Sequence, residues 1–300
     1  MAHTAVTQLT QKDYKADLHP VWCPGCGDFG VVAAVYQALA KLNLDPDHTM
    51  IVSGIGCSSR LPGYVNTYSF NAIHGRAIPI ATGIKVANPE LTVLAVGGDG
   101  DGFAIGTQHF VHAARRNVDI TYVCMDNSIY GLTKGHVSPT TPTDEVTKTS
   151  PYGNIEEPMN PVLMALACGA SFIARSFSAE VKTSVELIAQ AIEHPGFSFV
   201  HLISPCPVFR GRQQFDWVKE RVRRTPEGFD FTKREQARAV AFEDPHEHIT
   251  LGLIWRDDHR PSLVARQQAV REKALGKGVP AYEDILHSFI PDFGAVGAAR

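Results

Sequence analysis

Two kinds of chemistry-bearing residue stand at the ends of short apolar runs in this sequence: acidic and amide side chains set among glycines, and cysteines. The run 91–96 leads into Gly97-Gly98-Asp99-Gly100-Asp101-Gly102, and the run 120–125 leads into Asp126-Asn127-Ser128-Ile129-Tyr130-Gly131. Glycines flanking a carboxylate let backbone amides approach a phosphate while the carboxylate reaches a cation. Mg²⁺ takes hard oxygen ligands and leaves positions for phosphate oxygens. Asp99, the Asn127 side-chain oxygen and the Ile129 carbonyl would make such a set. Asp101 is at least as well suited to capping the helix that follows.

The cysteines fall into two groups. Cys23-Pro24-Gly25-Cys26 puts two thiols at the spacing that clamps a metal or cluster, although a redox dithiol or a zinc knuckle uses the same spacing. Cys57 follows the apolar run 50–55 and Cys206 follows the run 197–203, so both are placed like Asp99, at the end of a strand. Cys124 and Cys168 lie inside apolar stretches and read as core residues. Six cysteines in 300 residues is far from the density of a disulfide scaffold. Four thiolates satisfy tetrahedral zinc or a 4Fe-4S cluster equally well, and spacing alone does not choose between them.

These residues need a scaffold that brings strand ends together. Asp28 is placed to cap a helix over 29–42, Pro46 precedes a strand over 50–55, and the small-residue stretch 72–87 reads as a closely packed helix. A strand over 91–96, a helix over 105–116 and a strand over 120–125 follow. The polar stretch 127–154 is too long for an ordinary connector and points to function. Helices over 161–168 and 181–193 then alternate with strands over 171–175 and 197–203. Apolar strands separated by helix-length segments predict an α/β fold with a doubly wound, mostly parallel sheet, which binds ligands beyond the carboxyl ends of its strands. Residues 1–20 read as an irregular arm of a domain ending near 210. The charged stretch 211–245 and the scattered apolar pieces of 246–300 read as an extension wrapping that domain or a partner.

A formal charge of −3 provides no field for nucleic acid. No apolar run approaches the ~18 residues of a membrane span. Residues 1–11 lack the layout of a secretion signal, so a soluble, cytoplasmic protein is expected.

The pair Gly98-Asp99-Gly100 and Asp126-Asn127 resembles the thiamine-diphosphate motif, with Asp126 standing where the motif has its first asparagine. That resemblance implies thiamine diphosphate, Mg²⁺ and a pyrophosphate-binding type of fold. It also bears on the thiols. Thiamine chemistry that releases two electrons singly needs a one-electron carrier beside it, which a 4Fe-4S cluster supplies and zinc does not.

Taken with Trp22-Cys23-Pro24-Gly25-Cys26-Gly27, Gly54-Ile55-Gly56-Cys57-Ser58-Ser59-Arg60, His74-Gly75-Arg76, Asn127 to Gly135 and Ser138-Pro139-Thr140, the chain resembles the β subunits of 2-oxoacid:ferredoxin oxidoreductases. Cys26 to Gly30, Arg60-Leu61-Pro62 and Leu251 to Arg256 resemble the 2-oxoglutarate branch. His136 departs from a frequent glutamine, and Pro207 from a commoner valine or asparagine.

The resemblance implies coenzyme-A-dependent decarboxylation of 2-oxoglutarate to succinyl-CoA and CO₂, reversible in principle, with electrons leaving through a 4Fe-4S cluster on Cys23, Cys26, Cys57 and Cys206 to ferredoxin. Pyruvate is the alternative substrate, and a non-redox thiamine enzyme with structural zinc is the alternative class. The cofactor contacts implied are Gly56, Ser58, His74, Gly98, Asp99, Gly100, Asp101, Asn127, Ile129, Tyr130, Gly131, Leu132 and Thr133. The catalytic candidates are His74, Arg76, Arg60 and Lys134. The glutamate that activates thiamine would come from an α subunit, in an (αβ)₂ assembly.

Overall fold

The computed structural model describes residues 8–278 and 280–289. Its centre is an eight-stranded sheet in the order β2-β1-β3-β4-β6-β5-β8-β7. The strands are β1 (Thr49–Ser53), β2 (Tyr68–Asn71), β3 (Thr92–Gly98), β4 (Thr121–Asp126), β5 (Phe172–Phe177), β6 (Ser198–Ile203), β7 (Val222–Arg224) and β8 (Ile249–Arg256). The first six are parallel throughout, whereas β8 lies antiparallel to β5.

The central strands are buried at almost every position and mostly apolar because both faces are covered. Successive side chains point to opposite faces, so Ile51, Leu94, Val96 and Val200 enter one core while Val52, Val93, Ala95 and Phe199 enter the other. Helices α1 (Asp28–Lys41) and α6 (Val181–Glu193) pack together on the first face. On the second lie α2 (Ala77–Ala87), the short α3 (Asp99–Phe103), α4 (Thr107–Arg116), α5 (Pro161–Cys168) and, further along, α8 (Arg234–Ala241). Phe110 meets Phe103, Tyr122, Phe197 and Phe199 edge-on, a contact set that makes truncation to alanine cost about 3–5 kcal/mol.

Local signals explain several boundaries. Asn160 accepts the Leu163 N–H, Pro161 opens α5, and Gly169 closes it at φ 80°. Asp28, expected to cap α1, does not: Gly27 holds the cap position, and the Asp28 side chain points instead to Ser204. The helix expected from 72 starts at Ala77, since 72–76 form a turn in which Gly75 has φ 71° and abuts Ile105. Strand β2 was not foreseen, being four exposed residues with no burial pattern.

The largest difference lies beyond 210. Instead of wrapping the domain as a tail, this stretch first enters the sheet. Ile249, Leu251 and Ile254 are buried in β8, and α8 places Ala237, Val240 and Ala241 in the second core. A β-bulge between Ile173 and Ala174 of β5 and φ 131° at Gly252 break the alternation that would have marked β8 as a strand. The compact unit therefore runs to Leu263. Residues 264–300 form a second unit whose described part holds most of α9 (Leu263–Leu275) and all of α10 (Tyr282–Phe289), and α9 buries no residue.

Residues 1–7 of the expected arm lie outside the described residues, and its part from 8 to 20 is irregular but anchored. Tyr14 is fully buried with its hydroxyl donating to the Leu44 carbonyl, and the Leu9 N–H reaches Asn43 Oδ1 at 2.7 Å. Among the described residues no helix is long and apolar enough to cross a membrane.

Candidate active site and thiol cluster

Four neighbouring parallel strands, β1, β3, β4 and β6, end at the same edge and are followed by the segments carrying Cys57, Asp99, Asn127 and Cys206, while the His74 turn follows β2 and the Cys23–Cys26 pair precedes α1. A cavity of about 400 Å³ opens there. Gly56, Ser58 and His74 line one side, Gly98, Asp99, Gly100 and Asp101 the floor, and Asn127, Ile129, Tyr130, Gly131, Leu132 and Thr133 the other side. All thirteen residues expected to contact a cofactor thus border one space, joined by Ile55, Cys57, Met125, His136 and Val137.

The floor is braced by hydrogen bonds. Asp101 neither caps α4 nor points outward as a ligand. Its Oδ1 accepts the N–H groups of Ile55 and Gly75, both at 2.8 Å, and faces His74 Nδ1 at 3.1 Å. A Cβ at Gly54 would stand 2.0 Å from Asp101 Oδ2, so only glycine permits this brace. Likewise a Cβ at Gly100 would strike the Tyr130 ring at 2.1 Å; the tyrosine hydroxyl instead donates to the Gly100 carbonyl.

Asp99 is buried beside a second carboxylate, Asp126. The Thr140 hydroxyl lies 2.8 Å from Asp99 Oδ2 and 2.8 Å from Asp126 Oδ1. One hydroxyl proton cannot serve both oxygens at once, so the pair is short of positive charge. Burial, followed by the Asp126 charge, pushes Asp99 above the usual carboxylate range. Burial acts on Asp126 in the same sense, but the His201 hydrogen bond at 2.8 Å and the His201 charge, with Thr140 and the Ser128 N–H, bring it below that range. Asn127 Oδ1 accepts the Ile129 N–H at 3.1 Å, which shapes the turn between them. Ser58 Oγ is buried at the cavity wall with no hydrogen-bond partner among the described residues.

Cys57 lines this cavity, Cys206 lies beside it, and Cys23 and Cys26 are near enough to act electrostatically with them. Cys57 and Cys206 sulfurs lie 3.6 and 3.8 Å from where a Cβ of Gly131 would stand, so both border one spot. Burial and the nearby Asp28 carboxylate raise the Cys57 thiol to about 12, with Cys206 and Cys23 adding to the effect. The same two causes raise Cys26, which also feels Cys57 and Cys206. Cys124, buried in β4, and Cys168, half-buried on α5, stand apart, as expected for core residues. Among the described residues, no three His, Cys, Asp or Glu side chains lie close enough together to hold a single metal ion as they stand.

Residues 25–202 match the family model described as the C-terminal TPP-binding domain of thiamine pyrophosphate enzymes. Residues 206–272 match the C-terminal region of the pyruvate ferredoxin oxidoreductase β subunit. Subunit β of 2-oxoacid:ferredoxin oxidoreductase 2 from Aeropyrum pernix is 41% identical over 282 residues, covering 90% of this chain and 88% of that one. The chain belongs to the β subunits of the 2-oxoacid:ferredoxin oxidoreductases.

The 2-oxoglutarate synthase subunit KorB of Methanocaldococcus jannaschii is 46% identical over 257 residues, covering 84% of this chain and 93% of its own. Among solved structures, the 2-oxoglutarate:ferredoxin oxidoreductase from Magnetococcus marinus, with 2-oxoglutarate, coenzyme A and succinyl-CoA bound, superposes with a TM-score of 0.90 at 41% identity. That match covers 96% of this chain and 98% of the other.

For this β subunit, three of the catalytic candidates lie outside the cavity wall. The Arg76 guanidinium is tied to the carbonyls of Gly75 and Ile105, each at 3.2 Å. Arg60 is exposed and close enough to Cys57 to lower its thiol, so it belongs to the cluster side. Lys134 is exposed on the turn after Thr133, with φ 79°.

Sequence reasoning missed Thr140 and His201 as parts of the floor. Thr140 lay within a quoted motif but in a loop whose folding back was not legible. His201 sits in an apolar strand, where a lone histidine gives no signal. The Asp28–Ser204 contact was missed because Asp28 also fits a helix cap.

Proposed function

We propose that this chain is the β subunit of a 2-oxoglutarate:ferredoxin oxidoreductase, with thiamine diphosphate and Mg²⁺ in the cavity and a 4Fe-4S cluster on Cys23, Cys26, Cys57 and Cys206. The observation that carries this reading is the double position of Cys57, which lines the cavity and at the same time faces Cys206 and Cys23. One residue is then the wall between the decarboxylation site and the electron exit.

The donor set fits these groups. Asp99, the second lone pair of Asn127 Oδ1 and the Ile129 carbonyl are hard oxygens at one end of the cavity, and the crowded Asp99–Asp126 pair favours a divalent cation there. Ser58 Oγ, buried without a partner, is free to meet a polar group of the bound cofactor. The thiamine ring would supply the electron sink for decarboxylation.

The protein's own residues do the rest. His74 has Nδ1 held by Asp101, which leaves Nε2 toward the cavity to hold or move a proton at the substrate oxygen. Leu132 and Val137 give the wall apolar side chains. Lys134, beside Thr133 at the rim, would meet a substrate carboxylate or a coenzyme A phosphate as a mobile charge. No glutamate lines the cavity among the described residues, which accords with an α subunit supplying the base in an (αβ)₂ assembly. The unburied α9 is a candidate contact for that partner. All six cysteines are free, as a thiolate cluster site in the reducing cytoplasm requires.

The relatives favour 2-oxoglutarate over pyruvate, although the match at 206–272 is to a pyruvate-type subunit and keeps pyruvate as the second reading. The test is 2-oxoacid- and coenzyme-A-dependent dye reduction by the anaerobic αβ complex over a substrate panel. Turnover of 2-oxoglutarate at least tenfold above pyruvate is expected. Preference for pyruvate would overturn the substrate, and a colourless, zinc-loaded, inactive protein would overturn the redox assignment.

A further inference from the structure

Among the described residues, one buried carboxylate is accounted for by neither the cavity nor the sheet. Asp28 is 1% exposed at the start of α1, two residues after Cys26. Its Oδ1 accepts the Ser204 hydroxyl at 2.6 Å, and Ser204 lies two residues before Cys206. The Gly27 N–H adds a bond to the Pro205 carbonyl at 3.2 Å, so the two cysteine-bearing loops are joined twice. A Cβ at Gly27 would stand 2.6 Å from Ser204 Oγ, which shows how closely the loops approach.

The other oxygen, Oδ2, is buried with no hydrogen-bond partner of its own among the described residues. Buried charge without compensation is costly and is normally removed or paired. Here it stands against Cys26 and Cys57 and is the foremost charge acting on both.

Resting on the cluster reading above, we propose that Asp28 is a positioning residue that clamps the Cys206 loop to the Cys23–Cys26 loop, and that its unshared oxygen holds the cluster at a low reduction potential. The potential of a thiolate-bound cluster depends on the net charge and hydrogen bonds around it. A fixed negative charge in a desolvated pocket opposes the one-electron reduction of the cluster. The electron that arrives is then passed on readily to an external acceptor.

The experiment is an EPR-monitored redox titration of the anaerobic αβ holoenzyme with Asp28→Asn, which keeps the shape and a Ser204 contact but removes the charge. A cluster-replete Asp28→Asn protein should show a higher midpoint potential than wild type. An unchanged or lower midpoint overturns the proposal. If Asp28→Asn binds no iron, Asp28→Ser, which also removes the charge, is read instead; its midpoint should likewise lie above wild type, and no change or a fall overturns the proposal. Wild-type enzyme lacking a 4Fe-4S signal would sink the cofactor reading itself, a different failure from an unshifted variant.

Discussion

The oxygen-lined cavity and the thiol cluster stand side by side at one edge of one sheet, yet they are held by opposite means. On the cavity side the buried groups are braced in advance. Asp101 gathers two backbone N–H groups and His74, and Asp126 is paired with His201 and shares Thr140 with Asp99. On the thiol side the groups are desolvated and poorly partnered: Cys26 and Cys57 are raised by burial and by a carboxylate with one bare oxygen. The cavity is therefore braced before any ligand arrives, whereas the thiol pocket lacks comparable partners, as a site that a metal would complete is expected to.

The strongest way to break this comparison is to remove one key ligand from each side. Asp99→Ala should lower turnover by about 10³-fold, roughly 4 kcal/mol of barrier, and abolish Mg²⁺-dependent thiamine diphosphate binding while iron content stays at wild-type level. Cys206→Ala should do the reverse, with iron lost and cofactor binding retained by calorimetry. If either variant loses both, the two regions are one cooperative site. Cys57→Ser is the informative exception, because the shared wall should perturb both measurements.

Next comes the bracing itself. Thr140→Val removes the hydroxyl between Asp99 and Asp126 and should lower apo-protein stability by about 1–3 kcal/mol in denaturant titrations. Cofactor added back should recover part of this loss, because a cation takes over the neutralising role. A smaller effect is expected from Asp101→Asn. It frees Nδ1 of His74 and weakens two backbone contacts, so kcat should fall about tenfold with KM little changed.

What could be read in the sequence divides along the same line. Asp99, Asn127 and the four cysteines announce themselves because glycine clusters and CxxC spacing are local patterns at the ends of apolar strands. The parallel sheet was legible for the same reason: its central strands are buried on both faces and read as continuous apolar runs. Thr140, His201 and Ser204 were hidden because their partners lie 14, 75 and 176 positions away. Asp28 carried a misleading local signal, that of a helix cap. Strand β8 was obscured by Gly252 and by the bulge opposite, which interrupt its period.

The smallest expected effect is a control at the opposite end of the same strands. His194 is buried there, with Nε2 at 2.7 Å from Ser171 Oγ. Burial, only partly offset by Asp258, lowers its pKa. An unfolded histidine therefore binds a proton more readily than the folded one. Its penalty is absent above the unfolded value of about 6.5 and grows as pH falls below it. His194→Gln should flatten stability against pH between about 7 and 5, with iron content and turnover unchanged. A change in either would mean that the strand ends are not independent of the rest of the sheet.

The central claim is that one chain brings thiamine chemistry and a one-electron carrier to either side of Cys57. It is tested most directly by adding 2-oxoglutarate to the anaerobic αβ complex loaded with Mg²⁺ and thiamine diphosphate, and following the cluster by EPR. The account predicts that the substrate alone produces a reduced 4Fe-4S signal, and that coenzyme A then releases the second electron and succinyl-CoA. A cluster that stays oxidised while CO₂ is released, or a complex carrying zinc in place of iron, would contradict it.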